Sequence, residues 1–292
     1  DDLAPPEPLR ERFGGENDRG HGPYYRGMPR LSPRLWLWYL PAALAAIAGG
    51  LLAVGFALAL RGSTGDPLGE PPPPPAGAAP SKAPGKRLVL VLGDSLSHGT
   101  GDPSGRGYAN DVVDLLRRAG PVESVNLAVA GVESSDVLAL VESANVKSLA
   151  ASADLILLSV GGNDLSHSLG RAGAPTEALT TVVAARAQFA RNLRKILARL
   201  RETNPSAPIR LLGLYQPFTG SGREARIGAS MVMSWNSLVA ETALGFDNVS
   251  AIPVFDLFEG RADRLAADRF HPNRAGYRAI ADRVIQSLPA GS

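Results

Sequence analysis

From Leu88 onward, short runs of Val, Ile and Leu alternate with longer amphipathic stretches, and this alternation is the strongest constraint on the fold. The runs Leu88–Leu92, Ser124–Leu127, Leu155–Val160, Ile209–Leu214 and Val249–Val254 read as strands. Near-continuous aliphatic strands suit a parallel sheet, which is buried on both faces. The stretches between them have helical spacing. In Glu177–Glu202, the residues Leu179, Val182, Val183, Phe189, Leu193, Ile196, Leu197 and Leu200 fall on one face, and the arginines fall largely elsewhere. Tyr277, Ile280, Val284 and Leu288 mark a final helix. Strands alternating with helices predict a three-layer α/β domain over 87–292, built on a parallel central sheet.

The preceding segments have a different texture. Asp1–Arg34 mixes 6 acidic and 6 basic residues with Pro and Gly and has few clustered apolar residues, the composition of a disordered tail. Leu35–Leu60 is 26 residues without a charge. As a helix it reaches roughly 39 Å, beyond the ~30 Å hydrocarbon layer of a bilayer. Trp36, Trp38 and Tyr39 sit at one end, where amphipathic rings favour the membrane interface. Ala57-Leu58-Ala59 resembles a signal-peptidase site, but the apolar part of a signal peptide runs only about 7–15 residues, so an uncleaved transmembrane helix is expected. Arg19, Arg26, Arg30 and Arg34 precede the span and only Arg61 follows closely. The positive-inside rule then puts the tail in the cytoplasm and the C-terminal domain outside the cell membrane. Residues 61–86 contain Pro71 to Pro75 in a row and read as a semi-rigid linker.

Charge and composition remove several function classes. The net charge is +2, and from Leu88 to the end 20 basic and 20 acidic residues cancel. No basic footprint for nucleic acid is present. The chain has no cysteine, which excludes disulfides, thiolate metal sites and a cysteine nucleophile. Only His21, His98, His167 and His271 could serve as an imidazole base. The spacing of His98 and His167 matches no strong metal motif, and neither a metal nor another cofactor is expected.

In an open α/β sheet, ligands bind at the carboxyl ends of the strands. The first strand ends in Gly93-Asp94-Ser95-Leu96-Ser97, where the Ser95 hydroxyl can face a cleft, or Asp94 or Ser95 can simply cap a helix. The second leads to Gly131, either an unobstructed N–H or an ordinary turn glycine. The third ends in Gly161-Gly162-Asn163-Asp164, whose Asn163 amide can donate into the same cleft or serve a local turn. Near the C-terminus, Asp268 and His271 lie three residues apart in a loop. There a carboxylate can hold one imidazole nitrogen and leave the other for a serine hydroxyl. Pro272 and Asn273 would equally suit a helix cap.

Taken in order, these blocks resemble the SGNH (GDSL-type) hydrolase family: Gly93–Ser97, Gly131, Gly161–Asp164 and Asp268–His271, with His271-Pro272-Asn273 and Ala275-Gly276-Tyr277 similar to its closing segment. The resemblance spans roughly Leu88 to Leu288. It implies a flavodoxin-like fold and hydrolysis of carboxylic esters without a metal. Ser95 would be the nucleophile, His271 the general base and Asp268 its orienting carboxylate. The Ser95 N–H, the Gly131 N–H and the Asn163 amide would form an oxyanion hole. The expected activity is that of an esterase or lipase-like acylhydrolase working through an acyl-serine intermediate. The alternatives are a carbohydrate O-deacetylase with the same residues and a non-catalytic binding module on the same fold.

Overall fold

The computed structural model describes residues 85–171, 175–217 and 222–288. Its sheet comprises β1 (Arg87–Gly93), β2 (Val122–Asn126), β3 (Leu155–Ser159), β4 (Ile209–Leu212) and β5 (Val249–Ile252). All pairings are parallel, in the order β2-β1-β3-β4-β5. This is the flavodoxin-like order, and its direction of winding reverses between β1 and β3, where a crevice opens at the strand tips. The helices are α1 (Ser95–His98), α2 (Gly107–Arg117), α3 (Ser134–Glu142), α4 (Ala144–Ser152), α5 (Gly162–Arg171), α6 (Pro175–Thr203), α7 (Arg223–Leu244) and α8 (Arg274–Gln286). A 3-10 turn, Ala262–Arg264, precedes α8.

The period of two along β1 divides the core. Leu88, Leu90 and Leu92 face one way and join Ile156, Leu158, Ile209 and Leu211 under α3, α4, α6 and α7. Val89 and Val91 face the other way and join Leu157, Leu212 and Ile252 under α2 and α8. The expected three-layer arrangement on a parallel sheet is therefore present. The expected tail, membrane helix and nearly all of the linker, residues 1–84, lie outside the described residues. No helix among the described residues is long and apolar enough to cross a membrane.

The strands end earlier than their apolar runs. Val160, Leu214 and Val254 are buried, yet they lie beyond the ladders. At β4 the reason is local. The Leu214 N–H donates to Asn236 Oδ1 at 2.7 Å and its carbonyl accepts from Asn236 Nδ2 at 2.8 Å, so one side chain replaces the ladder. An apolar run reports burial, and the ladder stops where a side chain takes over the backbone groups. The helix expected over Glu177–Glu202 extends slightly further at both ends as α6. Val183 departs from expectation: it is 58% exposed whereas Val182 is buried. Adjacent helix positions are about 100° apart, and the buried stripe of α6 is narrower than the apolar pattern.

Below the sheet, Asn204 closes the end of α6. Its Nδ2 donates to the carbonyls of Ala150 (2.8 Å) and Ala153 (2.9 Å), and its Oδ1 accepts from the Ala207 N–H (2.9 Å). These groups are buried, and the Ala150 carbonyl also accepts from the Ala153 N–H at 3.2 Å. Asn204→Ala should lower unfolding free energy by about 3 kcal/mol, since each buried group left unpaired costs about 1–3 kcal/mol. Urea denaturation with an unchanged m-value would check this.

Candidate active site

The site begins with a close approach of two strands. Gly93 ends β1 at φ +126, and a Cβ there would stand 1.9 Å from the Ser159 carbonyl oxygen. Only glycine fits, and the chain can then turn sharply out of the sheet. Asp94 points inward, with its Oδ1 accepting from the Leu96 N–H (3.1 Å) and the Ser159 hydroxyl (2.5 Å). Ser159 Oγ accepts in turn from the Ser97 N–H at 3.1 Å. Asp94 is thus the cap of α1, and the helix-cap reading holds for it, while Ser95 is carried outward on the first turn. Burial pushes the Asp94 carboxyl above its ordinary value, against these hydrogen bonds. The turn is further fastened by Ser97 Oγ with Tyr108 OH (2.8 Å), by Asn126 Nδ2 donating to the Ser97 carbonyl (3.0 Å) and by Tyr277 OH donating to the Thr100 carbonyl (2.7 Å).

The loop before α8 brings Asp268 and His271. Asn273 caps α8, accepting from the N–H groups of Ala275 (2.9 Å) and Gly276 (3.1 Å). Its Nδ2 reaches back to the carbonyls of Asp263 (2.8 Å) and Leu265 (2.9 Å). Tyr215 OH donates to the Phe270 carbonyl at 2.6 Å. Within this frame, Asp268 Oδ1 accepts the N–H groups of Phe270 (2.9 Å) and His271 (3.0 Å). Asp268 Oδ2 lies 2.7 Å from His271 Nδ1, and His271 Nε2 lies 3.1 Å from Ser95 Oγ. A carboxylate beside Nδ1 selects the tautomer with its proton there, which leaves the Nε2 lone pair facing the hydroxyl. Partial burial acts to raise the Asp268 carboxyl, but the Phe270 N–H, the His271 ring and the His271 N–H outweigh it and hold the group below its ordinary value. The Phe270 ring stands edge-on to His271 with centroids 5.0 Å apart.

Gly131 and Asn163 occupy neighbouring loops. Gly131 adopts φ +86, and a Cβ there would point into open space. Asn163, in the first turn of α5, donates from Nδ2 to the Val132 carbonyl at 2.8 Å, which ties it to the residue after Gly131. The next residue locks this pair. Asp164 Oδ2 accepts the Ser134 N–H at 2.9 Å, and Asp164 Oδ1 accepts the Ser134 hydroxyl. Asn192 Nδ2 donates to Ser134 Oγ (3.0 Å), and Gln188 Nε2 donates to Asn192 Oδ1 (2.8 Å). Burial raises the Asp164 carboxyl despite these bonds. Nearer solvent, Glu133 Oε1 lies 2.8 Å from His167 Nδ1 and accepts from Arg171 at 3.1 Å. His98 turns to Thr100 Oγ1 at 3.2 Å. Among the described residues no cluster of three or more His, Asp or Glu is placed to hold a metal.

The sequence reading missed Ser159, Ser134, Asn192, Asn126 and Tyr215. Two of them carried a signal. Ser159 is the lone polar residue of the run Leu155–Ser159, and Asn192 borders the apolar stripe of α6 beside Leu193. A buried polar side chain needs a partner, so each implied one.

The model of the GDSL-like Lipase/Acylhydrolase family matches residues 91–279. Uncharacterized protein YpmR of Bacillus subtilis (strain 168) is 31% identical over 207 residues, covering 69% of this chain and 81% of the relative. Spore germination lipase LipC of Bacillus licheniformis is 25% identical over 204 residues, covering 66% and 92%. Among solved structures, the lipase Lip_vut3 from a goat rumen metagenome matches with a TM-score of 0.64 at 23% identity, over 70% of this chain and 100% of its own. The chain belongs to the GDSL-like lipase/acylhydrolase family and is an ester-hydrolysing enzyme.

Proposed function

We propose that the chain is a serine esterase of acylhydrolase type, which cleaves carboxylic esters by acyl transfer to Ser95. The reading rests on the His271 ring, whose two nitrogens lie 3.1 Å from the Ser95 hydroxyl and 2.7 Å from the Asp268 carboxylate. A serine hydroxyl is a weak nucleophile until a base takes its proton. His271 accepts that proton as Oγ attacks the ester carbonyl, and then returns it to the departing alcohol. Asp268 stabilises the imidazolium between the two transfers. Water, deprotonated by the same nitrogen, cleaves the acyl-serine and restores Ser95. The negative charge that develops on the carbonyl oxygen is met by the N–H groups of Ser95 and Gly131 and by Asn163. An amide NH2 carries two protons, and the one not given to Val132 is available to the substrate.

A membrane anchor at Leu35–Leu60 and an outward-facing domain belong to the same proposal. Their support is the uncharged run and the arginines before it. Protease added to intact cells expressing the chain should remove the C-terminal domain; a domain protected until the cells are lysed would overturn the orientation.

Ser95→Ala should abolish both ester turnover and covalent labelling by a fluorophosphonate, and normal turnover in this variant would sink the assignment. Asn163→Ala should lower kcat about 100-fold with a smaller change in KM, because losing one oxyanion donor costs about 3 kcal/mol. A series of acyl esters of increasing chain length, run beside acetylated sugars, defines the acyl group. Activity confined to acetylated sugars would replace the acylhydrolase reading by that of a carbohydrate deacetylase. Asp268 also sets a pH dependence. Its carboxyl is held below the ordinary value, so its contribution to folding is complete above that ordinary value and is lost as pH falls through the lowered one. The stability gap between the wild type and Asp268→Asn should therefore be present at neutral pH and close on acidification, as measured by thermal unfolding across pH.

A further inference from the structure

The segment from Arg261 to Arg274 holds Asp268 and His271 and carries four arginines, Arg261, Arg264, Arg269 and Arg274. Three of them have partners. Arg261 pairs with Asp263 at 2.8 Å, Arg264 donates to the Leu257 carbonyl at 2.6 Å, and Arg274 bonds Asp111 and Asp102. Arg269 differs. It is exposed, and among the described residues its guanidinium has no hydrogen-bond or ion-pair partner. The adjacent carboxylate does not take it up, because the two oxygens of Asp268 already meet the N–H groups of Phe270 and His271 and the His271 ring.

The backbone at Arg269 is exceptional as well. The chain doubles back here: the Arg269 N–H donates to the Ala266 carbonyl at 2.9 Å, the Ala266 N–H donates to the His271 carbonyl at 2.8 Å, and Leu265 pairs with Pro272. This turn wraps two N–H groups around Asp268 Oδ1 and holds Arg269 at φ +55. A Cβ is disfavoured in that left-handed region, which glycine enters freely and asparagine tolerates. The other positions of positive φ among the described residues are glycines and Asn248. The turn thus requires the conformation, but the conformation does not favour arginine, and no contact within the described fold uses its charged end. Strain retained beside a site points to a use of the side chain outside the fold.

We propose that Arg269 is a specificity residue, which binds an oxyanion, phosphate or carboxylate, carried by the alcohol part of the ester. The proposal rests on the esterase reading and adds the class of alcohol to it. On that mechanism the carbonyl oxygen of a bound ester turns toward Gly131 and Asn163, and the departing alcohol takes its proton from His271 Nε2. Arg269 and His271 are two positions apart, at most about 7 Å along the backbone. A long side chain starting there reaches groups borne by the alcohol, while the ester carbonyl faces the other side of the site. A guanidinium keeps its charge at any working pH and offers a planar fork of donors that fits either oxyanion.

Three matched substrates test this. Glycerol, glycerol 3-phosphate and glyceric acid are each acylated at a primary hydroxyl with the acyl group best turned over in the chain-length series. The neutral ester and the two anionic ones then differ in the group at the far carbon. The full-length chain is compared with Arg269→Gly, Arg269→Asn and Arg269→Lys. The ratio of kcat/KM on an anionic ester to kcat/KM on the neutral one should fall about fivefold in the Gly and Asn variants at low salt, and the Lys variant should keep part of it. High salt should shrink the difference between wild type and variants. The anion whose ratio falls further is the group recognised. Because glycine and asparagine both suit the left-handed turn, neither variant should melt below the wild type. Ratios unchanged for both anions in the Gly and Asn variants would overturn the proposal. So would an equal loss on all three esters, which would make Arg269 part of the frame of His271, or a lower melting temperature in both variants, which would show that the fold itself uses the guanidinium. Absence of turnover on every ester, with no fluorophosphonate label on Ser95, would overturn the esterase reading and this proposal with it; turnover with unchanged ratios overturns the proposal alone.

Discussion

The buried contact between Asp94 and Ser159 sets the geometry of everything above the sheet. It bridges β1 and β3 at the point where the strand order reverses, the one place where an open parallel sheet leaves a crevice. Gly93 lets the two strands approach closely enough for the bond to form. The same carboxylate starts α1, and through Ser159 it also holds the Ser97 N–H. The position of Ser95 therefore depends on a group that takes no part in the chemistry. An ionisable side chain is costly to bury, and Asp94 is tolerated because each of its bonds fixes the turn that presents Ser95, the proposed nucleophile.

The two sides of the site are held by different means. On the Asp268–His271 side the frame is mostly backbone, closed by Asn273 and by Tyr215, and it orients one ring toward Ser95. On the Gly131–Asn163 side the frame is a chain of buried side chains, from Asp164 through Ser134 to Asn192, with Gln188 bonded to its outer end at the surface. On the proposed mechanism, the first arrangement suits a ring that must keep its orientation while gaining and losing a proton. The second suits the proposed oxyanion donors, which must stay fixed while charge appears before them, because a buried, bonded network has little freedom to rearrange.

The sheet, its parallel sense and the layers on either side were legible because aliphatic runs and helical periodicity answer directly to burial. The strand ends were not, because Leu214 and Val254 are buried without being laddered and only the partner Asn236 reveals where β4 stops. At the site, Ser95, Gly131, Asn163, Asp268 and His271 stood out because their blocks, taken in order, resemble one hydrolase family, although each block alone also suited a cap or a turn. The groups that hold them did not, since Ser134 and Asn192 become meaningful only when residues 58 positions apart meet. Val183 shows the converse: its periodicity matched a buried face, and the structure leaves it in solvent.

Ser95 and His271 are separated by 176 positions, almost the whole length of the domain. On a ribosome, where chains grow at about 5–20 residues per second, Ser95, the proposed nucleophile, emerges roughly 10–35 s before His271, its proposed base. Throughout that interval the hydroxyl has no general base. The proposed chemistry therefore waits for His271 and for the α8 that follows it, whose Tyr277 bonds the Thr100 carbonyl beside α1. On that proposal, the order of the elements along the chain delays hydrolytic competence until synthesis of the domain is nearly complete.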